Sequence, residues 1–565
     1  MLISAYILYS GEVMVNNALR NGKKFLFSTQ KSIISAASII AFTYGVSAIL
    51  SLVRSRLLAA NFGISENLTV FYTADKIPSF IYSLIVVGTI STVFIPVFTD
   101  LLKKDEDSAW ETASSMINIS LLAFGFLGAL VMIFAPSIIR VLSVGRFTEE
   151  QVVLGTNLMR IMVGAQFILV LSSFLTSLFQ SFKHFVLPAL APVMYNIGMI
   201  LGIVLLTPKY GIYGPAYGVL IGAGLHLLVQ LPLLKKVAFE YKLKLDLSDG
   251  GVRQVFKLLP PRIFGSALVQ VSSIINNSLA ILVATSAAVI FKFADQLQSF
   301  PVNLFGASIA LAALPTLAGV SSPKDKEKFK NTFLTSFHQM LFLVVPASVV
   351  MFVLKFPVVR LVFGAKQFPW EATVETAYTL ALFSISIFAQ STVYLLTRAF
   401  FALKDTKTPV KVNFFTILFS SSLSLFFVKG LGWGVWSIAL SYSFAAILDM
   451  LVMLFLLGKK VGGFNTKKLF MPFIKISISA VLMGFSLYIP MKLLDFSVFD
   501  TSRVIPLLIL TGLAGISGVA SYLFFTWIFK VEEIQLLYKL AIRWIPRAAN
   551  AGADTSEVVS EVLDA

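Results

Sequence analysis

Residues 505–529 read IPLLILTGLAGISGVASYLFFTWIF, a stretch with no charged side chain. The hydrocarbon core of a bilayer is about 30 Å thick and needs roughly twenty apolar residues per helix, so this stretch predicts a membrane-spanning helix. Comparable apolar stretches occupy residues 32–53, 77–101, 340–354 and 412–428. The chain of 565 residues is 57% hydrophobic and 13% charged, with a mean hydropathy of +0.87, and we therefore predict a polytopic membrane protein.

The pattern of apolar stretches predicts an all-α protein with fourteen transmembrane helices. The predicted helices run over residues 33–60, 77–102, 114–142, 152–182, 185–207, 213–235, 253–286, 293–319, 330–358, 372–402, 409–429, 433–458, 469–492 and 504–530. An even number of crossings places both termini on the same side of the membrane. Lysine and arginine are enriched roughly two to one in the loops on the side of the N-terminus, which predicts that both termini are cytoplasmic.

Composition excludes several classes of function. The net charge of +17 is spread over short loops, a distribution typical of the positive-inside rule and not of a nucleic-acid-binding surface. The chain has no cysteine, and its three histidines, His184, His226 and His338, do not lie at metal-ligand spacing. Phosphate-binding loops and nucleophile elbows are absent from the sequence. We therefore predict no cofactor, no metal site, no nucleic-acid partner and no enzymatic activity.

The sequence repeats itself with a nearly constant offset. Asp75, Ser79 and Phe80 recur 220 residues later as Asp295, Ser299 and Phe300, and Lys183, Pro188 and Gly211 recur 221 residues later as Lys404, Pro409 and Gly432. The offset spans six helices, so both halves enter the membrane in the same orientation and form a parallel repeat with the substrate site between them. The predicted divisions are an N-terminal extension (1–31), an N-lobe of helices 1–6 (32–240), a C-lobe of helices 7–12 (250–460), helices 13 and 14 (468–530) and an acidic tail (546–565).

Local motifs resemble the MurJ (MviN) family. Residues 47–63 read SAILSLVRSRLLAANFG, like the first helix of the family, and DKIP at 75–78 followed by GTISTVFIP at 88–96 resembles its second helix. The eighth predicted helix contains FADQL at 293–297, and the loop before helix 11 contains DTKTP at 405–409. The resemblance covers about residues 32–530 and includes the number of helices.

The resemblance implies a function and its alternatives. MurJ proteins share a superfamily with drug antiporters and O-antigen flippases. They are regarded as flipping lipid II, the undecaprenyl-diphosphate-linked peptidoglycan precursor, to the outer leaflet of the bacterial cytoplasmic membrane. Helices 13 and 14 then wall a groove for the prenyl tail, and membrane lipids and cell-wall synthesis proteins are the expected partners. The alternatives are a flippase for another polyprenyl-linked oligosaccharide, a cation-coupled drug antiporter and a non-transporting scaffold.

The sequence departs from the family at three cationic positions. The family typically has arginine where this chain has Ala48, Tyr82 and Gln296, whereas the arginine of helix 1 is retained as Arg54. Three of the four anion-binding positions that the resemblance implies are therefore not cationic here. Several cations remain in or near helices 1, 2, 4 and 7.

The resemblance and the positions of these charges define the candidate site. The predicted substrate-binding residues are Arg54, Arg56, Lys76, Arg160, Arg262, Asp295 and Gln296. Alternative roles are snorkelling to the interface for Arg54 and Arg56, a structural pair for Arg160, and helix N-caps or salt bridges for Asp75 and Asp295.

Cation coupling is a separate question. Asp449, an isolated acid within a predicted helix, is a candidate ion or proton site, with a structural hydrogen-bonded acid as the alternative. Some family members carry a sodium site with acids on helices 7 and 11. Here residues 274–278 and 420–424 contain no carboxylate, so that sodium site is not predicted.

Overall fold

The computed structural model describes residues 33–89, 94–237, 239–497 and 503–534, and within them it contains helices and no strand. The predicted N-terminal extension and acidic tail lie outside these residues. The α-helices are α1 (Ile33–Phe62), α2 (Glu66–Ala74), α3 (Lys76–Thr89), α4 (Ile95–Leu102), α5 (Glu106–Leu142), α6 (Glu149–Ser181), α7 (Val186–Leu201), α8 (Thr207–Tyr210), α9 (Tyr213–Leu228), α10 (Gly250–Leu258), α11 (Pro260–Val283), α12 (Ala287–Pro301), α13 (Ser308–Gly319), α14 (Lys326–Val353), α15 (Lys355–Phe363), α16 (Trp370–Ser384), α17 (Ile387–Ala402), α18 (Lys407–Leu425), α19 (Trp436–Val461), α20 (Thr466–Ser497) and α21 (Val504–Ile528).

The prediction of a polytopic membrane protein is confirmed. Within the described residues, eleven helices are long and apolar enough to cross a bilayer, or twelve if the bent pair α16 and α17 forms one span. The axis bends by 46° between the two members of that pair. The first two predicted spans correspond to α1 and to α3 with α4, which flank the undescribed residues 90–93.

The predicted boundaries differ from the observed ones where polar residues belong to a helix. Helix α5 begins at Glu106, two turns before the predicted start, because Asp105 accepts a hydrogen bond from the Asp107 amide and caps a charged first turn. Helix α2 was not predicted. Ser65 caps it, its side chain accepting from the Leu68 amide at 3.4 Å. Hydropathy alone does not detect these polar helix starts.

Within the described ranges, complete π-helical segments interrupt membrane helices at Gly202–Leu206, Val302–Ala307 and Phe426–Gly430. A π-helical turn shifts the hydrogen-bond register and redirects the side chains that follow it. The segment at Val302–Ala307 comes directly after Pro301, which lacks an amide hydrogen for the regular pattern. Helices α12 and α13 therefore form one interrupted span.

Two pairs of repeat-related residues share an unusual backbone conformation. Lys183 and Lys404 both have positive φ, at 62° and 59°, and Gly211 and Gly432 have φ of 54° and 67°. A lysine rarely adopts this left-handed conformation, so its recurrence marks matching turns. Both pairs are separated by 221 residues, as in the sequence repeat.

Apolar side chains form two buried clusters. The first joins helices of residues 58–297 to residues 359–383 and 428–439 of later helices. The second extends from Val302 to Val531 and includes α20 and α21. The C-terminal helix pair therefore packs on the second half of the chain, where the Tyr522 hydroxyl donates to the Phe342 carbonyl at 2.7 Å.

Glycines bring the span containing α7 and the span containing α9 into close backbone contact. A Cβ atom at Gly202 would lie 2.2 Å from the Gly218 Cα, and one at Gly222 would lie 2.6 Å from the Tyr195 carbonyl oxygen. Small residues allow such approach between membrane helices, where packing replaces the hydrophobic effect as the driving force. By contrast, Gly224 on the same helix has open space around its Cβ position.

We expect Gly222→Ala to destabilise the protein by about 1–3 kcal/mol, because the added methyl group overpacks the contact with Tyr195. The matched variant Gly224→Ala places the same group in open space on the same helix and should not lower the melting temperature. Thermal unfolding of both variants in detergent measures the difference. Equal melting temperatures would contradict the assignment of this helix contact.

The DTKTP loop at residues 405–409 is a capped turn. Asp405 accepts hydrogen bonds from the Thr408 amide at 3.0 Å and the Thr408 hydroxyl at 2.7 Å. Lys460 at the end of α19 donates to the same carboxylate at 2.7 Å. Burial alone would raise the pKa of Asp405, but the hydrogen bonds from Lys460 and Thr408 outweigh it and lower the pKa to about 2. The loop thus ties the start of α18 to the end of α19.

This lowered pKa gives the stability of the protein a defined pH dependence. A carboxyl with a lower pKa in the folded state stabilises the fold above its unfolded pKa of about 3.8, and the contribution disappears as the pH falls towards 2. Asp405→Asn should lower the melting temperature at pH 6 and reduce its fall between pH 4 and 2. The exposed Asp100→Asn is the control, and an identical pH profile for both variants would refute this role.

Candidate substrate site

Helix α12 is held in a fixed rotation by its aromatic face. Phe293 is fully buried and stacks on Phe363 with ring centroids 4.3 Å apart, and it meets Tyr72 edge-on at 6.5 Å. Residues three and four apart share a helix face, so Lys292, Asp295 and Gln296 project together from another side. The contacts of that face reach helices α1 and α3 of the first half of the chain.

Gln296 joins α12 to α1. The Ser55 hydroxyl donates to the Gln296 side-chain oxygen at 2.7 Å, and the Gln296 amide group donates to the Ser51 carbonyl at 3.4 Å. Gln296 therefore contacts Ser55, the residue that follows Arg54 in the sequence. Its described hydrogen bonds are made to the protein itself.

Arg54 is surrounded by neutral groups. Its guanidinium donates to Asn196 Oδ1 at 3.0 Å, to the Ser51 hydroxyl at 3.2 Å and to the Met199 sulfur at 3.2 Å. Asn196 is itself fixed by donating to the Ser47 hydroxyl at 3.0 Å. No carboxylate in the described part of the chain lies within 4.0 Å of this guanidinium. Arg54 is therefore a half-buried, oriented cation without a counter-ion, which can accept an anion.

Two acids and two lysines form a charge cluster beside it. Lys76 donates to the Ser273 hydroxyl of α11 at 2.9 Å, and Asp75 accepts from Ser79 at 2.9 Å. On α12, Lys292 lies 4.0 Å from Asp295. Lys292 is also close enough to interact electrostatically with both Asp75 and Lys76. The cluster therefore joins α3 to α12 across the interface between the two halves of the chain.

The N-cap interpretation is wrong for Asp295. Asp75 directly precedes α3, which is the position of an N-cap, and its carboxylate accepts from the Ser79 hydroxyl. Asp75 lies at the C-terminal end of α2, and Asp295 lies inside α12. The Asp295 carboxylate accepts from Gln298 at 3.1 Å, and Gln390 donates to the Gln298 side-chain oxygen at 2.9 Å. The alternative of a salt bridge fits Asp295, whose partner is Lys292.

One end of the interface is closed by direct contacts. Thr69 donates to the Thr285 carbonyl at 2.7 Å, and Asn277 donates to the Thr73 hydroxyl at 3.1 Å. Gly63 has a φ of 57° and packs so closely that a Cβ there would lie 1.9 Å from the Gln367 carbonyl oxygen. We call these contacts the closed end.

Three predicted site residues lie apart from the charge cluster or cannot be placed. Arg56 donates to the Leu361 and Val362 carbonyls at 2.5 and 3.3 Å, at the C-terminal end of α15, where a cation complements the helix dipole. Arg160 is exposed on α6 and donates to the Met132 carbonyl at 3.3 Å. The Arg262 side chain lies outside the described residues. The described contacts of Arg56 and Arg160 are thus to backbone carbonyls.

Asp449 is buried in α19, with 8% of its surface exposed. Its Oδ1 atom has no hydrogen-bond partner among the described residues, as is also true of the buried hydroxyls of Ser420 and Ser424 on α18. The described residues contain no group of three or more histidine, cysteine, aspartate or glutamate side chains that could hold a metal ion. Asp449 therefore stays a candidate ion or proton site.

Sequence reasoning missed Lys292. The eighth predicted helix begins at residue 293, whereas α12 begins at Ala287 and includes Lys292. The signal that would have found it is its spacing of three and four residues from Asp295 and Gln296, which places it on their face of a helix.

An all-helical, multi-pass membrane protein with charged side chains between its two halves has the architecture of a membrane transporter. The sequence profile described as "Lipid II flippase MurJ" matches residues 58–506. The chain therefore belongs to the lipid II flippase MurJ family, whose members are membrane transporters and not enzymes. Its bacterial relatives imply a location in the inner membrane.

The names of individual relatives agree with this family assignment. A protein of Buchnera aphidicola subsp. Acyrthosiphon pisum (strain APS), named probable lipid II flippase MurJ, is 30% identical over 387 residues, which cover 68% of this chain and 76% of the relative. One of Bdellovibrio bacteriovorus with the same name is 26% identical over 512 residues, or 89% of this chain and 96% of the relative. The solved structure titled "Lipid II flippase MurJ, inward closed conformation" has a TM-score of 0.73 at 24% identity and covers 88% of this chain and 99% of that chain.

Proposed function

We propose that this protein flips lipid II, an undecaprenyl-diphosphate-linked peptidoglycan precursor, from the cytoplasmic to the outer leaflet of the bacterial inner membrane. The observation that carries the proposal is Arg54, an oriented guanidinium without a carboxylate partner in the membrane-embedded interface. Relatives that match most of this chain are named probable lipid II flippase MurJ, and these names support the same substrate. Protein partners from cell-wall synthesis stay a prediction.

The chemistry of the substrate explains why such a site is needed. A diphosphate carrying a sugar and a peptide cannot cross hydrocarbon unaided, because removing its charges from water is costly. A guanidinium offers several N–H donors in a planar fork that matches phosphate oxygens. Asn196 and Ser51 hold the Arg54 fork in place before the substrate arrives, which reduces the entropy lost on binding.

The proposed architecture is that of two six-helix lobes and a C-terminal pair, fourteen spans in all. The lobes are residues 32–240 and 250–460, followed by residues 468–530, whose helices wall a groove for the prenyl tail. The matching positive φ values at Lys183 and Lys404 support the parallel repeat. Both termini are then cytoplasmic, according to the distribution of basic residues.

The proposed mechanism is alternating access by rocking of the lobes. With a cytoplasmic N-terminus, the closed end lies on the outer side of the membrane. Opening towards the outside requires the contacts of Thr69 and Asn277 to break, while the π-helical and proline-containing spans absorb the bend. Asp449, buried with an unpartnered oxygen, is the proposed site for a coupling proton or ion.

Arg54→Ala should weaken flipping about tenfold to a hundredfold, because one charge-assisted phosphate contact is worth about 1.5–3 kcal/mol. Arg54→Lys should restore activity only in part, since the charge remains but the fork geometry is lost. Complementation of a flippase-depleted bacterial strain, read together with lipid II accumulation at matched protein level, provides the measurement.

Arg140→Ala is the matched control, because that arginine is exposed and pairs with Glu149 at 2.7 Å away from the site. Full complementation by Arg54→Ala would show that this chain recognises its substrate elsewhere or carries a different one.

A cross-link at the closed end should stop transport. The chain has no native cysteine, so Thr73→Cys combined with Asn277→Cys creates one reactive pair across an existing 3.1 Å contact. A short, cleavable thiol cross-linker should abolish flipping in the double variant, and cleavage should restore it. Each single variant treated in the same way is the control. Undiminished flipping by the fully cross-linked protein would exclude rocking.

A flippase for another polyprenyl-diphosphate-linked saccharide is the second candidate. It is favoured by Gln296 and Tyr82, which replace family arginines and bond within the protein, to Ser55 at 2.7 Å and to Ser173 at 2.8 Å. These contacts change the groups that face the sugar–peptide head while Arg54 remains. Accumulation of lipid II on depletion of this protein separates the two candidates.

A further inference from the structure

The segment that joins the two halves of the chain is extended and lies along helix α5. Residues 239–249, which we call the strap, have no regular secondary structure apart from a turn near their end. The Tyr241 hydroxyl donates to the Asn118 side-chain oxygen at 2.6 Å, and the Asn118 amide group donates to the Lys244 carbonyl at 2.9 Å. The strap therefore follows α5 as far as Asn118, three turns from the start of that helix.

Charged and apolar side chains alternate along the strap. Glu111 of α5 pairs with Lys242 at 3.4 Å and with Lys244 at 2.7 Å, and Asp246 lies 3.6 Å from Lys244. Successive side chains of an extended chain point to opposite faces, so the residues between these charges face away from α5. They form an apolar ridge of exposed side chains: Tyr241, Leu243, Leu245 and Leu247. At its centre Leu243 is 90% exposed, although the backbone beside it is tied to α5.

Helix α5 indicates the depth of the ridge in the membrane. The helix has 37 residues and is about 55 Å long, whereas the hydrocarbon core is about 30 Å thick. Its acidic residues end at Glu111, and no charged residue follows before Arg140. Leu122 is exposed one turn beyond Asn118 on the same face, where it contacts acyl chains. The contact between Asn118 and the strap therefore places the ridge at the boundary between headgroups and acyl chains.

We propose that the strap is a membrane-binding element, which inserts Leu243 and Leu245 into the bilayer at this boundary. In water the leucines would form an exposed apolar ridge, and lipid removes that surface from water. Tyr241 suits the same depth, because tyrosine places an apolar ring and a polar hydroxyl at the membrane interface. Lys242 and Lys244 are paired with acids, so the strap brings no unpaired charge towards the hydrocarbon. With a cytoplasmic N-terminus, the boundary belongs to the cytoplasmic leaflet. The insertion does not depend on which lipid the protein transports.

The far end of the strap is also fixed to the first half of the chain. Asp249 accepts from the Thr112 hydroxyl of α5 at 2.8 Å and from the Val252 amide at 2.8 Å, which caps α10. Gly251 packs so closely that a Cβ there would lie 2.7 Å from side-chain atoms of Leu101 and Thr112. The strap is therefore held by α5 on one face and by lipid on the other, and it moves with the first half.

A fluorescent label on the ridge tests this insertion in the full-length protein. The chain has no native cysteine, so Leu243→Cys labelled with bimane reports a single position. In vesicles of phosphatidylcholine brominated near the top of the acyl chains, the label should lose most of its fluorescence, as should one at Leu122→Cys. Glu106→Cys is the aqueous control, because this exposed residue lies about 18 Å before Asn118 along α5. Its label should be quenched by iodide in the buffer and not by the brominated lipid.

The choice of lipid and quencher separates insertion from other ways to cover the ridge. Phosphatidylcholine has no net charge, so quenching in these vesicles supports insertion by the leucines. If Leu243→Cys is quenched only after anionic phosphatidylglycerol is added, attraction of the lysines holds the strap at the surface, and the proposal is wrong. Iodide quenching as strong as that of Glu106→Cys would place the ridge in water. Protection from both quenchers would show that a second copy of the chain covers it. Either of these last two results would also overturn the insertion.

Discussion

A charged side chain inside a bilayer is stable only where the protein supplies what water would otherwise provide. Hydrocarbon offers no hydrogen bonds, so each cation within the spans needs protein partners, a counter-ion or a wet cavity. In this protein that constraint gathers Arg54, Lys76 and Lys292 at one interface. The rest of the fold, from the aromatic contacts of α12 to the closed end, positions the helices that carry them.

The interface meets this constraint in two ways. Arg54 is solvated by neutral groups, Asn196, Ser51 and Met199, which orient the guanidinium and leave its charge uncompensated. The lysines instead share their surroundings with Asp75 and Asp295, which offset part of their charge. An uncompensated cation in low dielectric attracts an anion strongly, whereas a partly compensated cluster binds it more weakly and releases it more easily. A transporter needs both properties, because its substrate must enter and leave.

Interrupted helices in this chain provide the flexibility that transport requires. The π-helical segments and prolines interrupt spans where regular helices would be stiff, and the bend between α16 and α17 is 46°. Glycine contacts between α7 and α9, in contrast, lock two spans of the first half together through their backbones. The described contacts thus combine a rigid packing unit with interrupted helices.

The sequence by itself determined the membrane class and the helical secondary structure. Long apolar stretches have one stable arrangement in a bilayer, since backbone groups in hydrocarbon must bond within their own helix. Motifs at residues 47–63 and 405–409 also identified the family. Helix starts were less accurate where charged residues begin a helix, as at Glu106, because hydropathy does not register capping.

Only the tertiary structure decided which of the candidate charges meet. Lys76 and Ser273 are separated by 197 residues, and their hydrogen bond depends on how α3 and α11 rotate and pack. Local sequence gives the face of a helix but not the partner opposite that face. For the same reason Arg56 and Arg54, two positions apart in sequence, have different roles: one donates to the carbonyls that end α15, and the other to Asn196 in the proposed substrate site. Side-chain partners across a membrane interface are set by packing, and packing is a property of the whole chain.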